Sequence, residues 1–236
     1  MSTKYTYWYF KNAISNEQCE KIIDLGHSKK ISQAKTLTKN HKTNKKKLSQ
    51  KDKSLEEFRK QLKSKKFSDK KIDDLIKKES YVRDSEISWI NDQWVYDLVW
   101  PFLIEANIKS GWRYDFDFAE SCQFTTYKKN GFYGWHIDSK TDHNAAYDEK
   151  CKNQNYIGKI RKLSVTINLS DENDYKGGNL KFDLGPHYKN RFLECKEIRP
   201  KGSIVIFPSS VYHQVTPITK GVRKSLVMWA LGKPFR

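Results

Sequence analysis

"NGFYGWHIDS" (residues 130–139) sets three aromatic side chains and two glycines ahead of His136-Ile137-Asp138. In an extended strand residues i and i+2 project from one face, so His136 and Asp138 point the same way and each offers one ligand atom. A third ligand has to come from elsewhere in the chain. His213, in "FPSSVYHQVTP" (207–217), follows the apolar strand "KGSIVIFPSS" (201–210) and is the natural candidate. Two imidazoles and one carboxylate suit a non-haem Fe(II) site with three open positions. They also suit a catalytic zinc that keeps one position for water. The spacing does not separate the two.

The neighbouring segments share the period-2 pattern. "KGVRKSLVMWAL" (220–231) puts Arg223, Ser225, Val227 and Trp229 on one face, and Lys224, Leu226, Met228 and Ala230 on the other. Arg223 stands ten residues beyond His213 and could hold the remote carboxylate of a dicarboxylic acid in a two-pronged grip. "CQFTTYK" (122–128) aligns Gln123, Thr125 and Tyr127, while "LSVTINL" (163–169) aligns Ser164, Thr166 and Asn168 against Val165, Ile167 and Leu169. Several strands with one polar face each, carrying candidate ligands, predict a barrel with a wet, functional interior.

Further out, "KYTYWYF" (4–10) reads as a strand, and "SNEQCEKIIDLG" (15–26) as a helix with Ser15 as N-cap, Gln18 completing a capping box and Gly26 as the stop. "NDQWVYDLVWPFLIEANIKSGW" (91–112) predicts a long helix that Pro101 should kink or restart. Between His27 and Glu79 lie eighteen lysines and Arg59 against six acids, so +13 of the net +17 sits in one segment. It shows no strand pattern; residues 28–50 are expected to be a loop, with polar helices opening at "SLEE" (54–57) and at Ser68. Such a segment attracts nucleic acid or another anionic surface, although the excess of lysine over arginine matches a general compositional bias. Helices followed by short strands predict helices packed on a β-sandwich or barrel.

The four cysteines are widely spaced, no apolar run reaches membrane-spanning length, and the first residues lack a signal-peptide core. The expectation is a soluble, cytoplasmic protein with reduced thiols. The loop 139–159 is long enough to act as a lid. His143 and His187, outside the ligand spacing, are expected to face solvent, while Arg161 could face the mouth of the site.

From Tyr81 to Phe235 the chain resembles the 2-oxoglutarate- and Fe(II)-dependent oxygenases of the prolyl-4-hydroxylase-like, PKHD-type group found in bacteria and their phages. The resemblance is carried by "QFTTYKKNGFYGWHIDS" (123–139), "RKLSVTINLSDENDYKGGNLKF" (161–182) and "KGSIVIFPSSVYHQVTPITKGVRKSLVMW" (201–229). It implies an α+β fold, with a double-stranded β-helix (jelly-roll) core and buttressing N-terminal helices. It further implies one oxygenase domain over residues 1–236, with a lysine-rich insertion at about 28–79 and a catalytic core at about 112–236. His136, Asp138 and His213 would hold Fe(II), and Arg223 and Tyr127 would bind the far carboxylate of the cosubstrate 2-oxoglutarate. Ser164 and Trp229 would line that pocket. O2 would be the co-reactant and ascorbate a candidate auxiliary reductant. The implied activity is hydroxylation of a C–H bond in a peptide or protein substrate, a peptidyl proline foremost, releasing succinate and CO2, with Trp229, Tyr133 and Trp135 guiding the chain. A nucleic acid or a small molecule such as a free amino acid is the alternative substrate. The nucleic acid is disfavoured because Met228 stands where the dealkylase branch carries a further arginine. A non-catalytic metal-binding module is the remaining alternative.

Overall fold

The computed structural model describes residues 5–37, 68, 81–139 and 146–235. The lysine-rich residues 38–67 and 69–80, with the helices expected there, lie outside that set. Along the chain come β1 (Trp8–Phe10), α1 (Asn16–Ser28), β2 (Ser32–Leu37), β3 (Tyr81–Ile90), α2 (Gln93–Lys109), β4 (Phe118–Ala119), β5 (Cys122–Tyr127) and β6 (Phe132–His136). Then follow β7 (Ile160–Asn168), β8 (Tyr175–Gly177), β9 (Leu180–Asp183), β10 (Phe192–Glu194), β11 (Ile204–Pro208), β12 (His213–Val215), β13 (Ile218–Gly221) and β14 (Arg223–Gly232).

One antiparallel sheet runs in the order β1-β11-β7-β14-β5-β3-β6-β12-β9-β10, with β2 on β3 and β4 on β14, while β13 and β8 form a second pair. The sheet curls into the jelly roll, and β3 carries it round the corner. Glu86–Ile90 of that strand pair with β5, whereas Arg83 and Asp84 pair with β6. α1 and α2 buttress the face formed by β11, β7, β14, β5 and β3. Ile22, Val99 and Leu103 from the helices meet Val165, Ile167, Leu226 and Met228, all fully buried or nearly so. Each such side chain removed from water contributes about 1.5–3 kcal/mol. Their alternate neighbours Ser164, Thr166, Arg223, Ser225 and Trp229 therefore turn into the barrel, as the period-2 pattern predicts.

Three local expectations are corrected. Ser32–Leu37 is a strand, not a loop; its backbone pairs in register with the open edge of β3, and Gln33 bonds Asp84 at 2.7 Å. Ladder bonds along an exposed edge need no apolar alternation, which is why the sequence carries no signal. α2 does not restart at Pro101 but continues through it as one helix, with Pro101 on the exposed side. α1 has the expected capping box between Ser15 and Gln18, but it continues past Gly26 to Ser28. Gly26 is there for packing. A Cβ on it would lie 2.4 Å from the Phe124 ring, and Ser88 Oγ donates to its carbonyl at 2.6 Å.

Two opposed effects decide the outcome of Gly26→Ala. Helix propensity favours alanine by about 1 kcal/mol, whereas overpacking a core typically costs about 1–3 kcal/mol. With the ring pinned between helix and sheet the clash should win. The variant is expected to lower the urea midpoint at an unchanged m-value, and Phe124→Leu in the same chain should recover part of the loss. A variant more stable than the parent would show that the ring yields.

Candidate active site

Strand register assembles the site. On the ladder between β6 and β12, His136 lies directly opposite His213. Asp138 follows two residues later, where its N–H and that of Ser139 both donate to the Ser209 carbonyl at 2.9 Å. The ligand atoms of His136, Asp138 and His213 all lie within 4.8 Å of one another, the only such His/Cys/Asp/Glu group among the described residues. The Nε2 atoms of His136 and His213 stand 3.6 and 3.7 Å from the two oxygens of Asp138.

The tautomers follow from the neighbours. His136 Nδ1 meets the Gly134 carbonyl at 2.8 Å and His213 Nδ1 meets the Val211 carbonyl at 2.9 Å. A carbonyl only accepts, so each Nδ1 carries its hydrogen, and in the neutral ring that leaves Nε2 with a lone pair turned to the centre. Burial pushes His213 down to about 4, which keeps that lone pair free at neutral pH. Burial alone would raise Asp138, but the flanking imidazoles and Arg161 outweigh it and hold the carboxyl below its ordinary range. This is the protonation state a divalent metal requires of its ligands.

Ser164 lies at the metal end of the cavity. Its hydroxyl donates to Asp138 Oδ2 at 2.6 Å and shares a 2.9 Å bond with Ser209 Oγ. Orienting partners of this kind are commonly worth about 10–100-fold in metal affinity. Ser164→Ala should weaken Mn(II) binding by that factor, read by titration without turnover, while Ser164→Thr keeps most of it. An unchanged affinity in the alanine variant would remove the hydroxyl from this role.

At the other end, Tyr127 and Arg223 lie directly opposite each other on β5 and β14. Arg223 is 1% exposed, and no carboxylate pairs with it among the described residues. Its Nε has no hydrogen-bond partner, and its one side-chain bond is a long 3.5 Å contact to Ser225 Oγ. The indole Nε1 of Trp229 is likewise buried without a partner. Orphaned donors around a permanently charged guanidinium are costly unless an anion completes them. His136, Asp138, His213, Tyr127, Arg223 and Trp229 all line one cavity. A larger surface groove beside α2, lined by Tyr96, Trp100 and Tyr156, holds no cluster of three ligating side chains among the described residues.

Several features were beyond sequence reasoning. Arg83 lines the cavity beside Gln123, which strand parity already turned inward, and Tyr133 stacks on His136 at 3.5 Å between centroids. Arg161 does not face an open mouth. Its guanidinium grips both oxygens of Glu120 at 2.6 Å, touches the Asp138 carbonyl at 3.4 Å and stacks 3.9 Å over Trp229. Trp229 is thus buried rather than offered to a passing chain; half-buried Trp135 is stacked instead on exposed Phe192. Of the expected lid, residues 140–145, His143 among them, lie outside the described set. The rest is tied down, since Tyr147 donates to Glu120 at 2.7 Å and Tyr156 accepts from the Ser121 N–H. His187 is exposed, as expected. No helix among the described residues is long and apolar enough to cross a membrane.

Comparison with known proteins places these residues in context. Residues 122–231 match the family described as the 2OG-Fe(II) oxygenase superfamily. A PKHD-type hydroxylase of Synechococcus sp. is 39% identical over 98 residues, which is 41% of this chain and 35% of that protein. The match thus spans about a third of the relative's length. Among solved structures, a viral collagen prolyl hydroxylase from Paramecium bursaria Chlorella virus-1, in its 2OG complex, superposes with a TM-score of 0.55. It is 15% identical, with 97% of each chain covered. A Trichoplax adhaerens prolyl hydroxylase in complex with a hypoxia inducible factor peptide fragment gives a TM-score of 0.53 at 15% identity, covering 96% of this chain and 84% of that one.

Proposed function

We infer the activity from the premise that this chain's core belongs to the 2OG-Fe(II) oxygenase superfamily: it hydroxylates a C–H bond of a peptidyl residue, in the manner of a prolyl 4-hydroxylase. His136, Asp138 and His213 are the residues to hold Fe(II), and Arg223 with Tyr127 the pair to hold the remote carboxylate of 2-oxoglutarate. When bound, Fe(II), 2-oxoglutarate and O2 supply the oxidation, converting 2-oxoglutarate to succinate and CO2 while one oxygen atom enters the substrate. The chain's own work is placement. The two Nδ1–carbonyl bonds aim both imidazoles, Ser164 holds the carboxylate, and buried Arg223 selects a ligand with a second anionic end.

The carrying observation is that the 4.8 Å His-Asp-His cluster and an unpaired, buried arginine share one cavity. A zinc site needs only the first; a dicarboxylate cosubstrate accounts for both. Support for a peptidyl substrate comes from the likeness to prolyl hydroxylases, one of them in complex with a peptide. The domain reading goes with it: one oxygenase unit carrying a lysine-rich insertion.

The test is succinate release with Fe(II), 2-oxoglutarate and ascorbate, with and without a panel of proline-containing peptides, beside the Asp138→Ala variant. Peptide-stimulated succinate together with a product heavier by one oxygen is the expected result. Stimulation by no peptide would remove the peptidyl substrate and keep the oxygenase. No succinate under any condition from folded, metal-loaded protein would remove both.

A further inference from the structure

Arg83 is a second buried cation in the same cavity, and neither the metal nor the cosubstrate accounts for it. It sits where β3 leaves β5 for β6, and it is 7% exposed. Its Nε donates to Ser85 Oγ at 2.8 Å and its Nη2 to Gln123 Oε1 at 2.7 Å, with Thr125 Oγ1 at 3.4 Å. All three acceptors are neutral, and no carboxylate lies within ion-pair distance of Arg83 among the described residues. The guanidinium rests 4.6 Å over Tyr133, whose ring is stacked on His136. A guanidinium does not shed its charge, and burying one without an anion is unfavourable.

The two arginines enter the barrel from different strands, β3 and β14. Arg223 stands with Tyr127 on the β5–β14 ladder, and Arg83 stands at the β3–β6 corner with Tyr133 between it and the metal-facing histidine. 2-Oxoglutarate has two carboxylates, one on the metal side and one for Arg223. Arg83 is left for the other reactant. We propose that Arg83 is the substrate's carboxylate-binding residue, so that the molecule hydroxylated carries a free carboxylate near the carbon attacked. This rests on the oxygenase reading and narrows it. Interior peptide segments without an acidic group are excluded; a free amino acid, or a peptide that places its C-terminal carboxylate in the cavity, is admitted.

Wild-type protein loaded with Mn(II) and saturated with 2-oxoglutarate is titrated with ¹³C-acetate as the carboxylate probe and with acetamide as its neutral counterpart, following line broadening by the bound metal. Acetate should bind and acetamide should not. Arg83→Met should weaken acetate by roughly 10- to 100-fold, the range for a hydrogen-bonded charged pair, while changing 2-oxoglutarate affinity less than about threefold. Arg83→Lys, which keeps the charge and loses the fork, should retain a weakened site, and serves if the methionine variant fails to fold. Displacement of acetate by L-proline but not by prolinamide points to a free amino acid; displacement by Gly-Gly-Pro but not by its amide points to a peptide terminus. Amides that compete as well as their acids would overturn the proposal. So would equal acetate binding in wild type and variants, or a collapse of 2-oxoglutarate affinity in Arg83→Met. Failure of 2-oxoglutarate to bind the wild type would instead bring down the oxygenase reading itself.

Discussion

Arg223→Met is expected to weaken 2-oxoglutarate binding by roughly 30- to several-thousand-fold while leaving the ligand-free protein as stable as before or more so. The first half follows from truncating one member of a buried charge pair, which costs about 2–5 kcal/mol or more. The second follows from the state of the free protein. Arg223 is 1% exposed with an orphaned Nε and no carboxylate partner among the described residues, so an apolar side chain of similar length relieves a buried charge. Affinity and stability should thus move in opposite directions, which damage to the fold cannot imitate. Thermal melts with and without 2-oxoglutarate read both at once, since a ligand that binds only the native state raises the melting temperature in step with its affinity. A variant that keeps the wild-type 2-oxoglutarate shift would take Arg223 out of the binding role.

Asp138→Ala is expected to abolish succinate formation and to lower Fe(II) or Mn(II) affinity by more than about 100-fold, the upper end of what losing a mere orienting partner costs. Among the described residues the carboxylate is the only acidic group that both Nε2 atoms face, at 3.6 and 3.7 Å. Removing it takes away one of three ligands and the negative charge of the cluster, leaving two imidazoles to hold the divalent ion. The hydroxyl of Ser164 loses its acceptor at the same time, but Ser209 Oγ remains within 2.9 Å, so the fold should persist. Retained metal affinity in the alanine variant would reassign the cluster to an unloaded polar network. Together with Ser164→Ala, this substitution forms a graded pair: the ligand outweighs the residue that orients it.

The convergence of His136 and Asp138 was legible because strand geometry is local. His136 and Asp138 share a face by the period of two, and the same rule put Arg223, Ser225 and Trp229 on the side opposite Leu226, Met228 and Ala230. His213 was a candidate from its place after an apolar strand, and the resemblance then implied a role for it and for Tyr127. What the chain alone could not supply was partnership. Nothing in "SQAKTL" announces that β3 has an open edge for it to fill. Gly26 looks like a helix stop until Phe124 arrives from another element. Ser164 was assigned to the cosubstrate end, and only its 2.6 Å bond to Asp138 moves it to the metal end.

Arg83 and Arg161 show the same division most sharply. Parity places Arg83 with Ser85 on one face. A register shift between β7 and β14 carries Arg161 off the face that alternation from Ser164 would give it, and in neither case does parity say what the side chain meets. Arg161 is neutralised by Glu120, forty-one residues away in sequence. Arg83 meets only neutral acceptors because its strand changes partners beside it. Which strands exist, and which face of each is wet, follows from short-range sterics and the local run of polar and apolar residues. Which charges are matched and which are left waiting for a ligand depends on contacts between distant segments, and those come into being only when the sheet closes.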